Sequence, residues 1–146
     1  EWTNIPQVSV ASIGGACIGG GVSLALACDF RFCGPESYFY VPEIELGFTY
    51  AWGTIPKLVS LVGPSKAKLM TIACKKINAK SLIDWGLCEK ISDTPLNASK
   101  EFLKNIVLKP LVAQQMVKES INRLTNVNQI SILEQDQVLL TRKFKE

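Results

Sequence analysis

Between Trp2 and Cys28 no side chain carries a charge, and the uncharged stretch changes character three times. Residues 5–13, "IPQVSVASI", set β-branched residues between small or polar ones behind Pro6, which predicts a strand buried on both faces. Gly14, Gly15, Gly19, Gly20 and Gly21 then crowd into a loop. From Gly20 the pattern "GGVSLALAC" predicts a short buried helix ending near Cys28. "FRFCG" reads as the next strand and "SYFYVP" as a further extended piece.

After Pro42, "EIELGFTYAWG" reads as a loop. Residues 54–62 and 65–74 are helical in pattern, separated by Gly63-Pro64, with Ser65 as a cap. "NAKSLIDWG" predicts a short helix closed by Gly86, and "LCEKIS" a terminal strand. Three helices are expected beyond it, Asn97 to Val107, Pro110 to Leu124 and Asn128 to Phe144, with Pro110 suited to a first turn. Strands alternating with helices early and helices dominating late predict an α/β fold with helices packed on a sheet. The natural division is a core over 1–95 and a helical region over 96–146.

The uncharged run is long enough to raise a membrane span, which needs about 20 apolar residues. Its glycines, Pro6, Gln7 and serines fit a strand, a loop and a short helix in series instead, so no span is expected. Apolar residues make up 47% of the chain and charged residues 20%, an ordinary globular balance. Sixteen basic against 13 acidic residues give +3, too mild for a nucleic-acid partner. Lys75, Lys76 and Lys80 are scattered without interleaved aromatics, as on a solvated face. Five cysteines with no C-x-x-C pair, and no histidine, argue against a metal site and a disulfide framework. A reducing, cytoplasmic setting is expected. The chain begins at Glu1 without a signal-peptide pattern, and we expect it to be part of a longer protein.

The glycine-rich elbow invites a nucleotide-binding reading, which its spacing refuses. No trio of these glycines matches G-x-G-x-x-G, and Val22 stands where a P-loop needs lysine. A strand, a glycine loop and a helix N-terminus remain. Unpaired N–H groups and the helix dipole make such a place suited to an oxyanion. The alternative is a sharp turn that glycine merely permits.

Two longer stretches carry a family resemblance. "IPQVSVASIGGACIGGGVSLALACDFRFC" followed by "YFYVPEIELGF" resembles the enoyl-CoA hydratase/isomerase (crotonase) superfamily. So does "VGPSKAKLMTIACKKINAKSLIDWGLCEKI", and the likeness spans nearly the whole chain. The resemblance implies a crotonase-like fold, ββα units with packed C-terminal helices, here without the family's N-terminal part and last helix. It implies an acyl-CoA or acyl-carrier thioester substrate, with coenzyme A as part of that substrate and no separate cofactor. It also implies assembly as a homotrimer or hexamer, for which the apolar faces of helices over 110–144 are suited.

By the same resemblance, the N–H of Gly20, the middle triplet glycine, is one donor of the oxyanion hole, and the second lies upstream. Family hydratases place glutamates at two positions, here occupied by Ser23 and by Glu43 of the P-E motif. Two carboxylates can activate a water between them. A single one suits a proton shuttle, so isomerisation is the preferred reaction, with hydration, decarboxylation or an inactive assembly module as alternatives. Ile18 precedes the triplet and Gly19 opens it, and with Ser23, Tyr50 and Trp52 they are expected to contact substrate. Each has a plainer role too: Ser23 as a space-filling helix residue, Tyr50 as a core aromatic. "LGFTYAWG" stands where hydratases carry small glycine-rich residues, so Tyr50 and Trp52 should narrow the acyl pocket. Glu45 is expected to face solvent, Asp29 to close the helix, and Cys17 alone among the cysteines to be worth testing as reactive.

Overall fold

The computed structural model describes residues 2–125. Among these, the strands form two three-stranded sheets. In the first, β1 (Val10–Ile13) lies parallel to β3, the strand Phe30–Cys33, with Val10 opposite Phe30. The remaining strands are β2 (Ala16–Ile18), β4 (Tyr38–Tyr40), β5 (Ile77–Asn78) and β6 (Lys90–Ile91). β6 completes the first sheet beside β3, while the second has the order β2-β4-β5, with β2 parallel and β5 antiparallel to β4.

The chain passes from the first sheet to the second twice, at corresponding corners. β1 reaches β2 through Gly14-Gly15, and β3 reaches β4 through residues 34–37. Ser37 ties the corners together from a fully buried position. Its Oγ donates to the Ile13 carbonyl at 2.8 Å and accepts from the Gly34 N–H at 2.9 Å. A buried hydroxyl with both capacities used costs little and specifies the register.

The first two strands differ from the pattern-based expectation. β1 is not buried on both faces: Ile13 is inside while Ser12, whose side chain points to the opposite face, is exposed. The "glycine loop" also holds a strand. Ala16, Cys17 and Ile18 become β2 only because Tyr38, Phe39 and Tyr40 supply a partner.

Helix α1 (Gly20–Ala27) buries Val22, Ser23, Ala25 and Leu26 and leaves Leu24 60% exposed, so it is buried on one side only. It packs on β2 and on α2 (Thr54–Thr71). The two helices expected over 54–74 are one kinked element. Gly63, at φ 77° and ψ 165°, leaves the helical region, and Pro64 forbids a helical residue before it. Helix α3 (Ala79–Asp84) starts where the Asn78 side chain accepts from the Ser81 N–H at 2.9 Å. Helix α4 (Pro95–Val107) sets Phe102 against Phe30 and Phe32, with ring centroids 4.8 and 5.3 Å apart. Of "LCEKIS" only Lys90–Ile91 is strand; Leu87 and Cys88 are buried in the turn before it.

Helix α5 (Leu111–Thr125) is held by polar contacts rather than by its apolar side. The Lys118 Nζ reaches Asp29 at 2.7 Å and the Gln7 carbonyl at 2.8 Å. Leu111, Val112, Met116, Val117, Ile121 and Leu124 stay exposed. The helix expected from Asn128 to Phe144 lies outside the described residues.

Arg31 is the buried latch of the first sheet. Its guanidinium donates to the carbonyls of Leu87 (2.6 Å) and Cys28 (2.8 Å) and pairs with Glu89 at 3.2 Å. The Arg31 N–H also donates to the Glu89 carboxylate. Charge and donors are thus answered on every side, the condition for a buried ion pair to be tolerated.

Candidate active site

At the end of β2 the chain turns through Gly19, at φ 52° and ψ −118°, and enters α1. That backbone conformation favours glycine. The Gly19 N–H donates to the Tyr40 carbonyl at 2.8 Å, which locks the strand end. Its own carbonyl accepts from the N–H groups of Val22 (2.9 Å) and Ser23 (3.3 Å). Gly20 is the first residue of α1, so its N–H has no intrahelical acceptor and points out of the helix start.

Glu43 opens a 3-10 turn, Glu43–Leu46, directly after Pro42. Its side chain reaches across to the elbow. A β-carbon built on Gly19 would stand 2.8 Å from Glu43 Oε1, so a residue larger than glycine there collides with the carboxylate. Oε2 of Glu43 is buried and has no hydrogen-bond partner among the described residues. Burial raises its pKa above the ordinary carboxylate value, partly offset by a hydrogen bond from its own backbone. A desolvated carboxylate with one oxygen unpartnered is a stronger base than one in water.

The other expected residues gather around this pair. Ser23 is buried, and its Oγ accepts from the Thr54 hydroxyl at 2.9 Å. Tyr50 is buried too, its hydroxyl donating to the Gly19 carbonyl at 3.1 Å. Burial pushes the Tyr50 pKa well up, so the phenol keeps its proton. Trp52 sits at φ 65° and is 74% exposed. Its ring crosses the elbow: a β-carbon on Gly20 would meet the indole at 3.1 Å. Ile18 ends β2, half exposed beside them.

Thr54 and the Tyr40 carbonyl were not anticipated. The available sign for Thr54 was a hydroxyl residue four places after Tyr50, at the start of a helix. Cys17 is corrected. It is buried beside Gly21, and burial raises its pKa to about 11, so it is an inert thiol at neutral pH. Glu45 is exposed and accepts from the Tyr40 hydroxyl at 2.7 Å. Asp29 accepts from the Ser9 N–H (2.7 Å) and hydroxyl (2.9 Å) and pairs with Lys118. That fastens the end of α1 to the approach to β1.

A cavity of about 1080 Å³ opens behind the elbow, walled by Ser23, Trp52, Thr54, Lys57, Leu61 and Ile121. Neither Glu43 nor Gly20 lines it, so it adjoins the carboxylate and the helix start without containing them.

The sequence model of enoyl-CoA hydratase/isomerase matches residues 1–146. The chain belongs to the enoyl-CoA hydratase/isomerase family. Within it, the chain is 34% identical over 114 residues to the mitochondrial Delta(3,5)-Delta(2,4)-dienoyl-CoA isomerase of Mus musculus, covering 75% of this chain and 35% of that protein. It is 29% identical over 126 residues to the ethylmalonyl-CoA decarboxylase of Homo sapiens, covering 83% of this chain and 41% of the other. The fold matches the crystal structure of an enoyl-CoA hydratase from Mycobacterium avium subsp. paratuberculosis K-10. There the TM-score is 0.91 at 24% identity, over 98% of this chain and 60% of that one. The chain thus spans less than half the length of these two curated relatives. The α/β, crotonase-like architecture agrees with the sequence-based expectation. Among the described residues no helix is long and apolar enough to cross a membrane.

Proposed function

We propose that the chain carries the enolate-forming part of an acyl-thioester isomerase. Gly20 N–H faces the thioester oxygen, and Glu43 takes a proton from the α-carbon. As the C–H bond breaks, its electron pair moves into the enolate and charge collects on the oxygen at the helix start. Glu43 then returns the same proton to the γ-carbon, so the double bond moves and nothing is gained or lost. The observation that carries this reading is the buried Glu43 Oε2 without a partner, placed against the Gly19–Gly20 elbow.

Ser23 favours isomerisation over hydration, because its hydroxyl is engaged with Thr54 and cannot serve as a second base. Decarboxylation is the other reading, favoured by likeness to a decarboxylase and by a tyrosine in the loop, yet Tyr50 is already bound to Gly19. Ile18, Gly19, Ser23 and Trp52 border the acyl group, which is carried on coenzyme A or a carrier arm, without a separate cofactor. The division into a core over 1–95 and a helical region over 96–146 is part of the same proposal. So is a homotrimer or hexamer, which the exposed apolar side chains of α5 support. The five free cysteines suit a reducing, cytoplasmic setting, and the mitochondrial mouse relative suits the same chemistry.

The test is conversion of 3-enoyl-CoA to 2-enoyl-CoA by the full-length protein. Activity that Glu43→Gln leaves untouched would remove Glu43 as the base. Intact protein that binds no CoA thioester, yet loses its assembly on Val112→Glu, would point to an assembly module instead.

A further inference from the structure

The Gly19 carbonyl and the Gly20 N–H are two ends of one peptide plane. Whatever grips the carbonyl therefore aims the N–H. Two of the three donors on that oxygen, Val22 N–H at 2.9 Å and Ser23 N–H at 3.3 Å, come from the helix that follows. The third does not. Tyr50 hydroxyl reaches it at 3.1 Å from a loop 31 residues further along the chain.

A peptide between two glycines turns over easily, because neither neighbour has a Cβ to resist the rotation. Flipped, the plane would carry the Gly20 N–H to the opposite side of the strand end. The Tyr50 hydroxyl opposes that flip, and it does so while buried, where no water competes for the bond. Donation to a carbonyl also polarises the amide and strengthens its N–H as a donor, by about 10–30% in condensed-phase estimates.

We infer that Tyr50 is a positioning residue of the oxyanion hole, holding and polarising the Gly19–Gly20 peptide through the Gly19 carbonyl. The inference rests on the reading of Gly20 N–H as the oxyanion donor. It gives Tyr50 a role remote from the substrate, acting through the backbone.

The test is infrared difference spectroscopy of [1-13C]hexanoyl-CoA bound to the full-length protein, with kinetics in parallel. The bound thioester carbonyl of the native protein should absorb at lower wavenumber than the free one. In Tyr50→Phe that displacement should shrink, and kcat should fall about tenfold with KM nearly unchanged, a fraction of the loss seen when an oxyanion donor is removed outright. 3-Fluorotyrosine at position 50, a stronger donor of almost the same size, should enlarge the displacement and guards against a folding defect in the phenylalanine variant. A displacement equal in all three proteins overturns the role of Tyr50 while leaving Gly20 as donor. No displacement in the native protein overturns the Gly20 reading itself, and the inference with it.

Discussion

Glu43 Oε1 lies 2.8 Å from the point a β-carbon on Gly19 would occupy. Glu43 and Gly19 are a matched pair: the carboxylate uses the space that glycine leaves empty. Gly19→Ala should therefore damage the site twice, by collision and by forcing alanine into a conformation that favours glycine. We expect a destabilisation of about 1–3 kcal/mol, read as a lower unfolding midpoint, and loss of most isomerase activity.

Glu43→Gln separates activity from stability. Activity should fall about 10²- to 10⁴-fold, as for loss of a general base. The unfolding midpoint should rise by about 2 °C at neutral pH, because a buried charge without a partner is removed.

The pH dependence follows from the direction of the Glu43 shift. Its pKa is higher folded than unfolded, so its contribution to stability is present below the ordinary glutamate pKa and is lost as pH rises through the folded value. Turnover needs the ionised form and should run the other way. The acid limb of kcat/KM should lie above the ordinary glutamate range, and this pH-dependent loss of stability should vanish in Glu43→Gln.

Trp52→Gly should widen the entrance to Gly20 at little structural cost. The ring is largely in solvent and glycine suits the φ of 65° at this position, so the unfolding midpoint should not fall. The ratio of kcat/KM for branched over straight-chain enoyl-CoA should increase, measured as competition between the two thioesters.

Ser23→Glu asks whether a missing carboxylate explains the preferred reaction. The variant should gain hydration of 2-enoyl-CoA relative to isomerisation, at a stability cost of about 1–3 kcal/mol for crowding a buried position. An unchanged ratio of the two rates would count against the serine as the deciding residue.

Much of the frame was legible in the residues. Gly63-Pro64 announced a break because proline restricts its predecessor, and Gly86 closed its helix at φ 73°. Pro42-Glu43 and the triplet likewise marked two places that the fold brings together. The rest depends on partners distant in sequence. Ala16–Ile18 is a strand only beside Tyr38–Tyr40, and no local pattern in three residues between glycines could say so. Which side chains of Val10–Ile13 are buried depends on what packs over the strand, and α4, more than 80 residues further along, is among those elements. The bond from Tyr50 ends on a backbone carbonyl, which has no residue type for a motif to display.

The Arg31 latch bears on how the chain is made. Its acceptors at Leu87 and Glu89 lie 56 and 58 residues downstream, so during synthesis the guanidinium waits while the whole intervening segment leaves the ribosome. Such distant closure slows folding. A nascent chain arrested before Glu89 emerges holds the guanidinium in water, with only the neighbouring Cys28 and Asp29 carbonyls within reach. The first sheet therefore closes late, after most of the core has been translated.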